Sequence, residues 1–119
     1  MVESKPELLK TLKNLIKDID NCEISIEDKA VVECTQGDTH FEIKVRVTYT
    51  PGPEKIFLEF ESFREYLKNL RGGTIEEYCE RILEDLVKIL QPTAIFVEVS
   101  GETDKHGLGT ARMWRRVRE

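Results

Sequence analysis

The stretch from Phe41 to Tyr49 constrains the fold most. Phe41, Ile43, Val45, Val47 and Tyr49 alternate with Glu42, Lys44, Arg46 and Thr48. Successive side chains of a strand point to opposite faces, so the alternation describes a strand buried on one face and wet on the other. One-sided burial belongs to antiparallel sheets, because parallel strands are covered on both faces and read as continuous apolar runs. Pro51-Gly52-Pro53 closes the segment, since proline has no N–H for a ladder.

The flanking patterns fill in the rest. Leu8, Leu9, Leu12, Leu15, Ile16 and Ile19 recur at three and four, which predicts an amphipathic helix over 5–19. Ile24 and Ile26, a polar turn at Glu27-Asp28-Lys29, then Val31 and Val32 predict an extended segment over 22–34, bent at its centre. Ile56 to Phe60 leads into a helix carried by Phe63, Tyr66, Leu67 and Leu70, and Gly72-Gly73 ends it. Thr74-x-x-Glu77 is a capping box that opens a second helix, with Ile75, Cys79, Ile82, Leu83, Leu86, Val87 and Leu90 along its apolar stripe and Pro92 as its stop. Ala94–Val99 reads as a strand, Gly101–Gly109 as a loop and Thr110–Val117 as a last strand. This order predicts one α+β domain over residues 1–119: an antiparallel four-stranded sheet, two helices on one face and an N-terminal helix. Such a sheet has two edges that need cover. Pairing edges between copies would supply it, so a homo-oligomer joined through sheet edges is expected.

Composition removes several function classes. The 119 residues suffice for one core without metal or disulfides. Lys plus Arg is 18 against 23 for Asp plus Glu, a net charge of 18 − 23 = −5, which argues against a dedicated nucleic-acid binder. No apolar run approaches the length of a membrane span, so no membrane partner is expected. The polar start Met1–Pro6 carries no signal-peptide core, so a cytoplasmic protein is expected. Cys22, Cys34 and Cys79 are too widely spaced for a zinc pair and too few for a disulfide framework. With His40 and His106 they match no standard zinc spacing, and no metal is expected.

Cys34 precedes the turn-rich Thr35-Gln36-Gly37-Asp38-Thr39 at a predicted strand end. It admits two readings, a small packed thiol or a nucleophile displayed on a rigid frame. A nucleophilic thiol needs a proton carrier or a positive environment, and Asp38 and His40 are the groups within reach along the chain. Glu76 and Glu77 open the second helix, where capping and the helix dipole alone favour acids. The alternative use of such a carboxylate is to accept the paired N–H donors of a guanine-like edge. Cys79, on the apolar stripe, and Cys22 read as packing. There is no phosphate-binding glycine loop.

The stretch Leu58-Glu59-Phe60-Glu61-Ser62-Phe63-Arg64-Glu65-Tyr66-Leu67, then Arg71 and Ile75-Glu76-Glu77-Tyr78-Cys79, resembles the QueF family. These are nitrile reductases that convert 7-cyano-7-deazaguanine to its aminomethyl form in queuosine biosynthesis. Members carry a Glu-Ser-Lys-Ser-Leu-Lys-like motif before the first helix, an Arg at its end and His-Glu at the start of the second. Thr48-Tyr49-Thr50-Pro51 is similar to the family's strand-ending Tyr-x-Pro, and Val97-Glu98-Val99-Ser100-Gly101 to its third strand and turn. The resemblance implies the tunnelling fold, built from a ββααββ unit, with pockets between the subunits of an oligomeric barrel. It implies Cys34 as the nucleophile that forms a thioimide with the nitrile of a 7-deazapurine, Glu77 with its neighbour Glu76 at the purine edge, Ser62 and Arg64 in the cofactor motif, and NADPH as hydride donor. Three positions differ from the family: Phe41 replaces an acidic Asp, Glu76 a His and Glu61 a Lys. They point to two alternatives. One is a QueF-like amidinotransferase that adds ammonia to a tRNA-borne nitrile, giving archaeosine without NADPH, with Arg112, Arg115, Arg116 and Arg118 on tRNA phosphates. The other is a non-catalytic purine- or pterin-binding paralogue.

Overall fold

A computed structural model describes residues 2–13, 22–33, 40–103 and 107–117. A 3-10 turn, Pro6–Leu8, precedes β1 (Thr11–Lys13), β2 (Ile24–Glu33), β3 (His40–Thr50), β4 (Ile56–Leu58), α1 (Phe60–Lys68), α2 (Ile75–Leu90), β5 (Ala94–Thr103) and β6 (Gly107–Arg116). Four strands form one sheet in the order β2-β3-β5-β6, antiparallel at every pairing. β1 and β4 pair as a small second sheet.

The expected alternation in β3 sets the core. Phe41, Ile43, Val45, Val47 and Tyr49 are buried, and Glu42, Lys44 and Arg46 are exposed. Register carries the pattern across the sheet: Val47 faces Ile26 and Val97, and Val45 faces Val99. Both helices cover this inner face, α1 over β2 and α2 over β5 and β6. Phe63, Tyr66, Leu67, Tyr78, Ile82 and Leu86 fill the layer between, all fully buried. The tyrosines keep a polar handle in that core. Tyr49 Oη accepts from Leu58 N at 2.9 Å and fixes β4, Tyr78 Oη accepts from Gly73 N at 3.2 Å, and Tyr66 Oη donates to Asp85 Oδ2 at 2.6 Å.

Three expectations need correction. The N-terminal helix over 5–19 is not formed in its described part, which is the 3-10 turn and β1 instead; residues 14–19 lie outside the described residues. Tertiary hydrogen bonds override the helical spacing here. Lys10 N donates to Ser62 Oγ at 2.9 Å, Glu59 N donates to Lys10 O at 2.9 Å, and Leu12 pairs with Phe57. The predicted turn at Glu27-Asp28-Lys29 is absent, and β2 runs through it. Asp28 takes a helix-facing place between Ile26 and Ala30, which β2 tolerates because Arg64 of α1 meets it.

The expected loop Gly101–Gly109 is mostly strand, and Gly101 pairs with Gly109. A Cβ on Gly101 would come within 3.0 Å of Ile75 Cδ1 and 3.1 Å of Phe41 Cε2, so this glycine makes room for the start of α2. α1 also ends at Lys68, before Gly72-Gly73, with Asn69 at its C-cap. Gly72 then takes a left-handed conformation, φ 68°, in the link to α2. The capping box at Thr74 forms as the spacing predicts. No helix among the described residues is long and apolar enough to cross a membrane.

Candidate active site at the amino end of α2

Ile75, the first residue of α2, packs over Gly101 at one end of the sheet, where Phe41 also borders that glycine. β2 leaves that end at Glu33 and β3 enters it at His40, its register partner. Residues 34–39 make the connection, so Cys34 and Asp38 lie outside the described residues. The fold therefore brings Glu76 and Glu77 to the end of the sheet at which the Cys34 segment starts. His40 is the first residue of β3 at this same end. Phe41 is buried beside Gly101, a packing role that leaves no acid at that position.

Glu77 has a local task already. Its Oε1 accepts from Thr74 N at 3.1 Å while Thr74 Oγ1 accepts from Glu77 N at 3.2 Å. This reciprocal pair satisfies two of the free donors of the helix start. Glu76 and Glu77 are both exposed, and the positive end of the helix dipole favours their charge. An anchored, exposed carboxylate at the rim can accept a second donor pair from a ligand without a change of rotamer.

Ser62 and Arg64 lie elsewhere. Ser62 is buried, donates to Glu59 O at 2.7 Å and accepts from Lys10 N at 2.9 Å, so its hydroxyl ties the N-terminal segment to α1. Its neighbourhood is the Leu58–Tyr49 contact, at the far end of β3 from Phe41. Eight residues of strand separate those ends, about 27 Å at the rise of an extended chain. Arg64 is exposed, and its Nε donates to Asp28 Oδ2 at 3.0 Å. Burial pushes the Asp28 carboxyl up, but the Lys29 N–H and Arg64 outweigh it and hold the group below its usual range. Glu61, exposed on the same turn, adds a carboxylate beside Arg64.

Of the other thiols, Cys79 is a packing group, as its place on the apolar stripe predicts. Cys79 Sγ donates to Val97 O at 3.3 Å, and burial pushes its pKa up to about 11. Cys22 is half-buried. Of the C-terminal arginines, Arg112 pairs with Glu98 on the open sheet face and Arg115 with Glu84 of α2. Arg118 lies outside the described residues. The described residues contain no group of three His, Cys, Asp or Glu side chains arranged to hold a metal.

Sequence reasoning missed one constellation. Asp85 is buried on the inner stripe of α2, where Tyr66 Oη and Ser4 Oγ both donate to it, at 2.6 and 2.8 Å, beside Arg81. Its signal was an acid three residues after Ile82 and seven after Tyr78, in line with apolar neighbours.

No family model matches the chain. Two proteins share 38% identity with it over 66 residues, or 54% of this chain. Both are named NADPH-dependent 7-cyano-7-deazaguanine reductase, from Thermoanaerobacter pseudethanolicus and Caldanaerobacter subterraneus subsp. tengcongensis. The match spans 47% and 46% of those proteins, so this chain aligns with a little under half of each. The apo form of an archaeosine synthase, QueF-Like, superposes with a TM-score of 0.64 at 20% identity, over 76% of this chain and 91% of that one. It shares the fold described above.

Proposed function

We propose, from the premise that this chain belongs to the QueF family, that it acts on the nitrile of 7-cyano-7-deazaguanine through a covalent thioimide on Cys34. The observation that carries this reading is the seating of Ile75 over Gly101. It puts the Glu77 carboxylate at the end of the sheet where the Cys34 segment leaves β2. In this reading Glu77 and its neighbour Glu76 accept the ring and exocyclic N–H donors of the purine edge, and that grip positions the nitrile carbon for sulfur. The Cys34 thiolate adds to that carbon, the C–N π bond opens, and the nitrogen takes the proton the thiol gave up. Asp38 or His40 carries that proton. The product is a C–S bond and a neutral imine nitrogen, with no redox change.

Reduction of the nitrile to an aminomethyl group requires two hydrides, and the two relatives are named NADPH-dependent. The α1 residues of this chain do not fit a dinucleotide phosphate as folded. Ser62 has spent its hydroxyl inside the chain, Asp28 holds Arg64, and Glu61 stands exposed beside them. That same observation favours a second reading, in which ammonia rather than hydride takes the thioimide of a tRNA-borne nitrile. The structural neighbour is named an archaeosine synthase. A buried Phe41 in place of an acid favours a third, a non-catalytic binder of purines or pterins.

Assembly belongs to the same proposal. β2 and β6 are the edges of the four-stranded sheet, each ten residues long, and unpaired edges of that length invite pairing with another copy. A homo-oligomer closed through them would bring the α1 of one copy toward the α2 end of the next, two regions that lie apart within one chain.

The test is the intact mass of the protein after incubation with 7-cyano-7-deazaguanine in the absence of NADPH. The expected result is an adduct of one substrate mass on the wild type and none on Cys34→Ala. Absence of the adduct on a folded wild type overturns the thioimide. Oxidation of NADPH by the wild type selects reduction; an adduct with no oxidation, discharged by ammonia, selects amidine transfer.

A further inference from the structure

A cavity of about 600 Å³ opens between the N-terminal segment, the end of α1 and the middle of α2. Lys5, Arg71, Arg81 and Lys88 line it, against two carboxylates, Glu3 and Asp85. Four cations at one cavity stand out in a chain of net charge −5. Asp85 does not neutralise them freely. Its Oδ2 already accepts from Tyr66 Oη and Ser4 Oγ, and its Oδ1 lies 3.7 Å from Arg81 Nε, beyond hydrogen-bond range. Arg81 Nε is buried and has no hydrogen-bond partner. Arg81 nevertheless lines the cavity, its side chain 40% exposed beyond the Nε that faces Asp85. Lys5 and Lys88 are exposed and make no ion pair among the described residues.

Backbone contacts tie the N-terminal segment to the link between the helices. The Glu3 and Arg71 backbones exchange two hydrogen bonds, Glu3 N to Arg71 O at 2.8 Å and Arg71 N to Glu3 O at 3.0 Å. Val2 presses on Gly73, where a Cβ would meet Val2 Cγ2 at 2.3 Å. These contacts hold Lys5 and Arg71 on one wall, while α2 presents Arg81 and Lys88, seven residues and two turns apart, on the other.

We propose that this cavity binds the phosphate groups of a phosphorylated small molecule of nucleoside-diphosphate size. Guanidinium and ammonium groups on two walls of one cavity are the kind of donor that phosphate oxygens take, although Arg71 Nη1 also donates to the Lys68 and Leu70 carbonyls. The volume lies in the range of small-molecule sites. Arg81 is the central donor, Asp85 with Tyr66 and Ser4 positions it, and Lys5 and Lys88 add charge at the rim.

Calorimetric titration of the full chain with inorganic pyrophosphate tests it, with a nucleoside diphosphate as second probe. The expected result is one saturable site per chain that weakens about tenfold or more in Arg81→Gln and in the rim double variant Lys5→Gln/Lys88→Gln. Lys44→Gln, whose partner is Glu27 on the opposite sheet face, leaves binding unchanged. Tighter binding of the nucleoside diphosphate than of pyrophosphate shows that the cavity also holds the nucleoside; equal binding shows a site for the phosphate groups alone and overturns the assigned ligand size. Absence of saturable binding, or equal weakening in Lys44→Gln, overturns the site. The rim double variant decides if Arg81→Gln fails to fold.

Discussion

Arg64 Nε donates to Asp28 Oδ2 at 3.0 Å and so joins α1 to the edge strand β2. This contact lets a charged residue occupy a helix-facing strand position. It also sets a pH dependence. Asp28 is held below its ordinary value, against burial, by the Lys29 N–H and by Arg64. A depressed carboxylate contributes stability that is complete above its unfolded pKa, about 3.9, and is lost as pH falls through the folded value. Asp28→Asn removes the contribution. Wild type is therefore expected to be more stable at neutral pH, by a few degrees in melting temperature, and the gap is expected to close in acid, below about pH 4. Parallel thermal melts from neutral to acid pH check this, and a gap that persists in acid would contradict it.

Glu77 is a cap and, in the proposed function, also a ligand contact, and substitution separates the two. Gln serves the N3 place of a capping box nearly as well as Glu, but its amide presents donors where the purine edge needs acceptors. Glu77→Gln is expected to melt close to wild type and to bind 7-cyano-7-deazaguanine at least tenfold more weakly. Thr74→Ala is expected to show the opposite signature, a stability loss of about 1 kcal/mol with affinity largely retained. If both variants lose affinity in proportion to stability, Glu77 is a cap alone.

The main sheet and the two helices could be read from periodicity because one face of each is buried. Phe41 to Tyr49 needed only alternation, and Thr74-x-x-Glu77 only the cap chemistry. The failures share a cause. Leu8, Leu9 and Leu12 are helically spaced, yet their backbone is claimed by Ser62, Glu59 and Phe57 from another part of the chain. Gly101 and Gly109 read as loop because a glycine that spaces a strand from a helix looks the same in sequence as one that turns. Asp28 looked like a turn residue because its answering charge sits 36 residues away. The site divides likewise. Glu77 was visible from its cap. The occupation of the Ser62 hydroxyl depends on contacts that no local pattern encodes.

Thiol reactivity provides a third expectation. Burial pushes the Cys79 thiol up to about 11, and its Sγ is hydrogen-bonded to Val97 O. The thiolate is the reactive form, so Cys79 is expected to stay unmodified by iodoacetamide in the folded protein at neutral pH. In the proposed mechanism Cys34 is labelled first, and 7-cyano-7-deazaguanine protects it. Mass spectrometry of tryptic peptides reads both sites. Labelling of Cys79 before unfolding would show that the inner face of α2 opens readily, and unprotected Cys34 would count against the thioimide.

The seat of α2 can be tested at one glycine. Gly101→Ala adds a Cβ within 3.0 Å of Ile75 Cδ1 and 3.1 Å of Phe41 Cε2, with more of Ile75 at 3.3 Å. Overpacking of that kind costs about 1–3 kcal/mol, and here the neighbour that must yield is the first residue of the helix bearing Glu77. Gly101→Ala is expected to lower the melting temperature and also to weaken 7-cyano-7-deazaguanine binding, because the displaced helix end carries the carboxylate with it. Ile75→Val removes the Cδ1 that the new methyl meets. The double variant is expected to recover both quantities, a coupling that appears only between groups in contact. If stability recovers and binding does not, the helix start rests on Gly101 as described but the ligand is held elsewhere.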